Sequence, residues 1–435
     1  MLSTLKNAFK IKDIRNKILF TLMVLVVFRL GSFITVPGIN AKALQSVASS
    51  GLVSMLNLFS GGGLSNYSIF AMGVSPYITA QIVIQLLQMD IVPRFVEWGK
   101  QGEVGRRKLN QATRYLTIVL AFVQSIGITA GFNALSSLKL VDNPGVSTYV
   151  TIGLILTGGT MLTTWLGDMI TDRGLGNGVS MIIFAGIIAR IPTGVYQLYQ
   201  TYIVDAGKGD LGKNILFLIG LLIAILVIVT FTTWFQQADR KVPIQYTRRV
   251  SGSPDSSYLP LKVNVAGVIP VIFASSFIAT PQTILLAFQN NHSEDTWYQV
   301  LSNVFNMQTT AGTVFYTILI VLFTFFYAFV QVNPEKLSEN LQKQGAYIPG
   351  VWPGHETQSY ISGLLMRLST VGALFLGLIA LLPLVASNVF GLSESVGLGG
   401  TSLLIVVGVA IQTIQQINGL EMKRQYIGFI QEPNK

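Results

Sequence analysis

The chain has no cysteine among its 435 residues, which excludes disulfides, thiol nucleophiles and cysteine-held zinc. It has only two histidines, His292 and His355, and only 11% of its residues are charged. The topology argued below puts the two histidines on opposite sides of a membrane, so they share neither a metal nor a proton-transfer role. Carboxylates are nearly missing from the apolar runs, with Asp90 and Asp168 at run ends. Ion- and proton-coupled transporters usually carry acidic groups near the bilayer midplane. Phosphate-binding loops are missing too. Gly174-Leu175-Gly176-Asn177-Gly178 joins two apolar runs, follows no strand and lacks the Lys-Ser/Thr of a phosphate loop. Gly61-Gly62-Gly63 likewise has no following lysine. No serine, histidine and acid meet on one side with helical support. Neither an enzyme nor a cofactor is expected.

What is present is apolar. Hydrophobic residues make up 51% of the chain, which reads as a polytopic membrane protein. Runs long enough to span recur near 18–36, 74–89, 114–134, 148–169, 179–200, 214–235, 263–286, 312–332, 359–383 and 400–417. The expectation is therefore an all-α fold with ten transmembrane helices. Pro192, Pro270 and Pro281 fall inside these runs and mark expected bends. The first run is too long for a cleaved signal and is interrupted by Arg29, so it reads as a span. Ahead of it, Lys6, Lys10, Lys12, Arg15 and Lys17 alternate with Leu2, Leu5, Phe9 and Ile14. Such a segment suits an inner leaflet rich in anionic lipids.

Charge placement orients the chain. With the N-terminus inside, most of the 29 basic residues fall on internal segments, including Arg106, Arg107, Lys108, Arg240, Lys241, Arg248, Arg249 and Lys336. This is the positive-inside pattern, with both termini cytoplasmic. Five runs precede the external segment 201–213 and five follow it. An odd number in each half requires two inverted halves, 1–205 and 206–435, and such pairs usually enclose a central path.

Phe59 to Gln88 is the most unusual stretch. It opens on Gly61-Gly62-Gly63, passes Ser65, Asn66, Tyr67 and Ser68, then becomes helical with Pro76 in the first turn. Gln81, Gln85 and Gln88 share one face, with Val74 and Ile78 on the same stripe before them. Amides in hydrocarbon need partners, so this stripe faces protein or water. Val179 and Ile183 repeat the four-residue spacing, and Ile272 follows Pro270. Ile405 is followed toward the inside by Gln412 and Gln416. The repeated order, aliphatic at mid-depth and amide inside, predicts an apolar ring above a wet vestibule. Arg29 and Arg367 are the intramembrane charges, read as structural or partner-facing. Two internal loops are long, 236–262 and 333–358. The first has the makings of a short hairpin, the second a short helix and two Pro-Gly turns. On charge alone they are either solvated linkers or a docking surface for an acidic partner.

The chain resembles the SecY family, the central subunits of bacterial protein-translocation channels. FRLGSFITVPGI at 28–39, NLFSGGGLSNYSIFAMGVSPYITAQIVIQLL at 57–87 and GRRKLNQATRY at 105–115 carry the resemblance. So do TDRGLGNGVSMIIFAGI at 171–187, LPLKVNVAGVIPVIFASS at 259–276, NPEKLSENLQKQGAYIPG at 333–350 and GGTSLLIVVGV at 399–409. It implies an hourglass pore in the bacterial cytoplasmic membrane, with Val74, Ile78, Val179, Ile183, Ile272 and Ile405 as the pore ring. It implies a plug including Met55, Leu58, Phe59, Gly61, Gly62, Gly63, Leu64 and Asn66, and a lateral gate near Thr79, Ser275 and Ser276. The implied partners are the small membrane subunits SecE and SecG, the SecA motor, the ribosome and preproteins bearing signal sequences, with no DNA. Arg240, Lys241, Arg248, Arg249 and Trp352 would dock the motor or ribosome. The family typically reads Pro-Gly-x-Arg-Pro-Gly in the second loop, where this chain has Trp352 in place of the arginine. The rival reading is a secondary solute transporter with inverted repeats.

Overall fold

The computed structural model describes residues 9–40, 57, 60–89, 91–135, 140–141, 145–204, 211–246, 258–292, 294–390 and 400–431. It is an all-α membrane protein with two small two-stranded sheets. Helices occupy every expected span position: α1 (Lys12–Gly31), α2 (Ser75–Leu87), α4 (Glu103–Leu135), α5 (Val146–Arg173) and α6 (Gly178–Tyr199), then α7 (Leu211–Gln237), α8 (Ile269–His292), α10 (Thr310–Gln331), α12 (His355–Phe390) and α13 (Gly400–Gln431). Between them lie α3 (Pro93–Lys100), α9 (Thr296–Phe305) and α11 (Pro334–Lys343). Among the described residues, 8 helices are long and apolar enough to cross a membrane, while Ser75–Leu87 is apolar but short.

The expected boundaries move at several places; α13, for one, runs to Gln431 instead of 417. Helix α1 ends at Gly31 instead of running to 36. Ser32 Oγ donates to the Arg29 carbonyl at 2.7 Å, and Thr35 pairs with Ser68 in an antiparallel bridge. Val36 precedes Pro37, and a residue before proline is pushed from helical to extended backbone. Helix α4 starts at Glu103, well before the apolar run, because Arg106 to Gln111 are good helix formers that continue it into water. Helix α8 starts at Ile269, so Pro270 sits in its first turn and produces no bend. Pro281 and Pro192 do lie inside helices.

The two long internal loops are folded, and fold together. Strand β1 (Asp239–Pro243) pairs antiparallel with β3 (Tyr258–Lys262), the expected hairpin. Strand β2 (Gln245–Tyr246) pairs with β4 (Ala346–Tyr347), which ties the first loop to the second. Val242, Ile244, Leu261, Leu341, Ala346 and Ile348 bury a small core against Ile361 and Leu365 of α12. The solvated-linker reading is therefore set aside for the described parts of both loops. The side of the molecule carrying these strands is called the hairpin face below, and the opposite side the far face.

Close helix approach relies on glycine at a few contacts. At Gly178 a Cβ would run into the carbonyl group of Gly167, joining the start of α6 to the end of α5. Backbone cannot yield as a flexible side chain can. Gly178→Ala is expected to destabilise the protein by about 1–3 kcal/mol, read as a lower melting temperature of the detergent-solubilised protein.

Candidate functional site

Four helices bring the expected aliphatics together. Val74 sits at the N-cap of α2 and Ile78 in its first turns, Val179 and Ile183 open α6, Ile272 lies in the first turn of α8, and Ile405 lies in α13. Five of these side chains are buried members of one hydrophobic cluster, and half-buried Val179 packs against it. The cluster also takes in Ile82, Ile187 and Val409, which the sequence reading missed. Each lies four residues beyond a ring candidate, so the same helical stripe pointed to them. Val74 and Ile82 are fully buried and Ile78 is 2% exposed, so the site is closed.

Amides flank this cluster on the hairpin side, half-buried on α2 and exposed on α13. Gln81, Gln85 and Gln88 are half-buried, because α4, α5 and α8 all pack around α2. Gln85 Oε1 is buried without a hydrogen-bond partner. On α13, Gln412 and Gln416 are exposed, and Gln416 Oε1 accepts a short hydrogen bond from the Gly176 amide.

A polar seam joins α2 to α8. The Thr79 hydroxyl is 2.9 Å from Thr280 Oγ1, and the Thr280 hydroxyl donates to the Ser276 carbonyl at 3.0 Å. Gln124 of α4 donates its side-chain amide to Thr280 Oγ1 at 2.7 Å. Of the expected gate residues, Thr79 is at the centre of the seam. Ser275 bonds back to its own helix, and Ser276 contributes its carbonyl while its buried hydroxyl lacks a partner. Thr280 and Gln124 were missed. Thr280 stands four residues after Ser276, a spacing that was there to be read.

On the far side the glycine-rich stretch forms a buried turn. Gly61, Gly63 and Leu64 are buried, and Gly62 and Asn66 are half-buried. Met55, Leu58 and Phe59 lie outside the described residues. The Gly61 carbonyl accepts from Arg29 Nη1 at 2.6 Å, and the Arg29 guanidinium lies 4.9 Å from the Phe33 ring centroid. Gly61 has φ +63 and sits beside the Phe28 ring and the Gly186 backbone, so only glycine fits. Arg29 is thus structural, as expected, and its partner is this turn. Arg367 is exposed on α12. Tyr67 closes the turn from a left-handed backbone, φ 44, which costs a side chain about 1–2 kcal/mol. Its hydroxyl lies 2.6 Å from Thr129 Oγ1, and both groups are buried.

On the hairpin face, Arg240 and Lys241 are exposed on β1, with Lys241 Nζ 4.7 Å above the Tyr258 ring. Arg248 and Arg249 lie outside the described residues. Trp352 is 81% exposed between the two Pro-Gly turns, its carbonyl held by Thr357 Oγ1 at 2.8 Å.

A buried aliphatic cluster at the meeting of four helices, a glycine-rich turn on one side and a hydrogen-bonded seam between two helices define a polytopic membrane protein with an apolar centre. A family model described as SecY matches residues 68–414. The chain is 66% identical over 430 residues to the protein translocase subunit SecY 1 of Lactobacillus kefiranofaciens subsp. kefiranofaciens, covering 99% of this chain and 100% of that protein. Two solved structures are similar in fold. One is of a SecY protein whose plug domain stabilises the closed state of the translocation channel and maintains a membrane seal. It has a TM-score of 0.65 at 16% identity and covers 93% of this chain and 92% of that one. The other is Sec61 in the canine ribosome-channel complex from the endoplasmic reticulum, with a TM-score of 0.61 at 15% identity and the same coverage, 93% and 92%. The chain belongs to the SecY family. The rival transporter reading has no support in these findings.

The seam predicts a specific sensitivity. Thr280→Val removes an acceptor shared by Thr79 and Gln124, and is expected to cost about 0.6–2 kcal/mol. Thr79→Val combined with Thr280→Val should cost less than the sum of the single changes, measured by unfolding in mild detergent as a double-mutant cycle.

Proposed function

We propose that the chain is the pore-forming subunit of a protein-conducting channel. It passes unfolded polypeptides across the bacterial cytoplasmic membrane and releases membrane segments sideways into it. The observation that carries this reading is the convergence of ring candidates from α2, α6, α8 and α13 in one buried aliphatic cluster. Two inverted halves, 1–205 and 206–435, would then form an hourglass around that cluster. The hairpin face is cytoplasmic, as are both termini, and the far face is external.

In this reading Val74, Ile78, Val179, Ile183, Ile272 and Ile405 form the ring. Branched aliphatics hold water and ions poorly, so a narrow ring of them dewets and seals. They offer no fixed polar contact on which a peptide of arbitrary sequence would stall. The turn including Gly61 to Asn66 is the plug, held in the idle state by Arg29 and the Phe28 ring. The Thr79–Thr280–Gln124 seam is the latch of the lateral gate between α2 and α8. A signal sequence entering lipid through that gate binds the open state preferentially and shifts the population toward it.

Directional work comes from outside the chain. The folded loops on the cytoplasmic face, with Arg240, Lys241 and Trp352 exposed, suit a docking surface for the SecA motor or the ribosome, and Arg248 and Arg249 belong to the same loop. The small subunits SecE and SecG complete the complex, and preproteins bearing signal sequences are its substrates.

Two experiments test this reading. Ile78→Gly combined with Ile405→Gly is expected to raise ion conductance in planar bilayers, and unchanged conductance would count against the ring. The absence of cysteine allows a single cysteine at Ile272 to be probed against a cysteine in a secretory chain stalled halfway. A cross-link that depends on stalling and on the signal sequence is the expected outcome. Silence at Ile272, Ile78 and Ile405 in a translocation-competent preparation would reject the pore assignment.

A further inference from the structure

Helix α9 joins the far ends of α8 and α10 and has three distinct faces. Tyr298, Ser302 and Phe305 point inward: Tyr298 is buried, the other two are half-buried, and the Phe305 ring packs edge-on against Phe315 of α10 with centroids 5.6 Å apart. Thr296, Gln299 and Asn303 form an exposed polar face. The remaining face is apolar and open, with Trp297 at 46%, Val300 at 55% and Leu301 at 39% exposure, and half-buried Val304 beside them. The spacing of 297, 300, 301 and 304 is that of one helical stripe.

This stripe continues the outer surface of the neighbouring spans. Phe288 of α8 is 46% exposed, its ring lies 6.3 Å from that of His292, and His292 lies 5.5 Å from Trp297. On α10, Val314 and Ile318 are exposed beyond half. Exposed apolar side chains thus stand on both membrane spans that α9 connects, with the His292–Asp295 pair between Phe288 and Trp297. Trp297 turns its polar edge back, with Nε1 donating to Asp295 Oδ2 at 3.2 Å. The same carboxylate oxygen lies 2.7 Å from His292 Nδ1, so one group clasps the end of α8 to the start of α9. An apolar sector set between a packed sector and a polar one is the arrangement of a helix lying flat in a membrane interface.

We infer that α9 lies in the outer-leaflet interface, with Trp297, Val300, Leu301 and Val304 against lipid, and that it anchors the outer end of the seam helix α8 there. The anchoring role rests on the proposed lateral gate, while the lipid contact rests only on the burial pattern.

The test uses the assembled translocase in vesicles of phosphatidylethanolamine and phosphatidylglycerol. Single cysteines replace Gln299, Val300, Leu301 and Asn303 in turn and carry a nitroxide label. Collision rates are measured with oxygen, which partitions into lipid, and with a water-soluble nickel chelate. The oxygen-to-nickel ratio is expected to be several-fold higher at 300 and 301 than at 299 and 303, at a depth of about 5–10 Å below the headgroups. Uniformly low ratios at all four positions would overturn the proposal in favour of water, and uniformly high ones in favour of a fully embedded helix. Shielding of 300 and 301 from both reagents would overturn it in favour of a covering protein. The labels read bilayer depth, so a failed cross-link from Ile272 would reject the channel reading without altering this result.

Discussion

Helix α2 is too short to cross a bilayer alone, and the rest of the structure answers that constraint. Its 13 residues extend roughly 20 Å at 1.5 Å per residue, against a hydrocarbon core of about 30 Å. A helix that ends inside the membrane leaves terminal backbone groups that lipid cannot satisfy. It must be enclosed by protein, and α4, α5 and α8 enclose it. Its aliphatic stripe then has nowhere to face but other aliphatics, which produces the closed cluster. The Gly73 carbonyl, just before α2, is met by Thr163 Oγ1 of α5 at 3.2 Å.

The two boundaries of this enclosed helix are built differently from its centre. The cluster is held by close packing, which is dense and tolerates little rearrangement. The seam to α8 is held by hydroxyls and one amide, and the turn before α2 by Arg29 and a strained tyrosine. Such contacts can be exchanged for water or for another chain at modest cost. A sealed core with exchangeable edges suits a site that must be tight when idle and yield to a passing polypeptide.

The hairpin face shows a second use of enclosure. Two loops of a membrane protein could remain solvated, yet here β2 pairs with β4 and a small apolar core binds both loops to α12. The result is a rigid platform that continues a membrane span. Trp352, with most of its surface in water, sits on its tip between two tight turns. Its carbonyl is held by Thr357 while the indole stands in water, an unusual exposure for an aromatic of that size.

The membrane class, the helix positions and several aliphatics that meet in the central cluster were legible in the chain, because hydropathy and helical spacing are local properties. Val74 with Ile78 and Val179 with Ile183 are four apart, and that spacing alone puts each pair on one face. The glycine run marked a turn for the same local reason, since Gly61 and Gly62 take positive φ there. What the chain could not show was which faces meet. Thr280 finds Thr79 and Gln124, and Arg29 finds Gly61, across separations of 201, 156 and 32 residues. The half-burial of the α2 amides and the joining of the two loops likewise depend on distant backbone. Sequence by itself determined the solvent of each segment, since transfer into lipid is set residue by residue. Tertiary structure alone decided the partners of the polar groups left inside, because a buried hydroxyl or guanidinium takes whichever donor or acceptor the packed helices bring within reach.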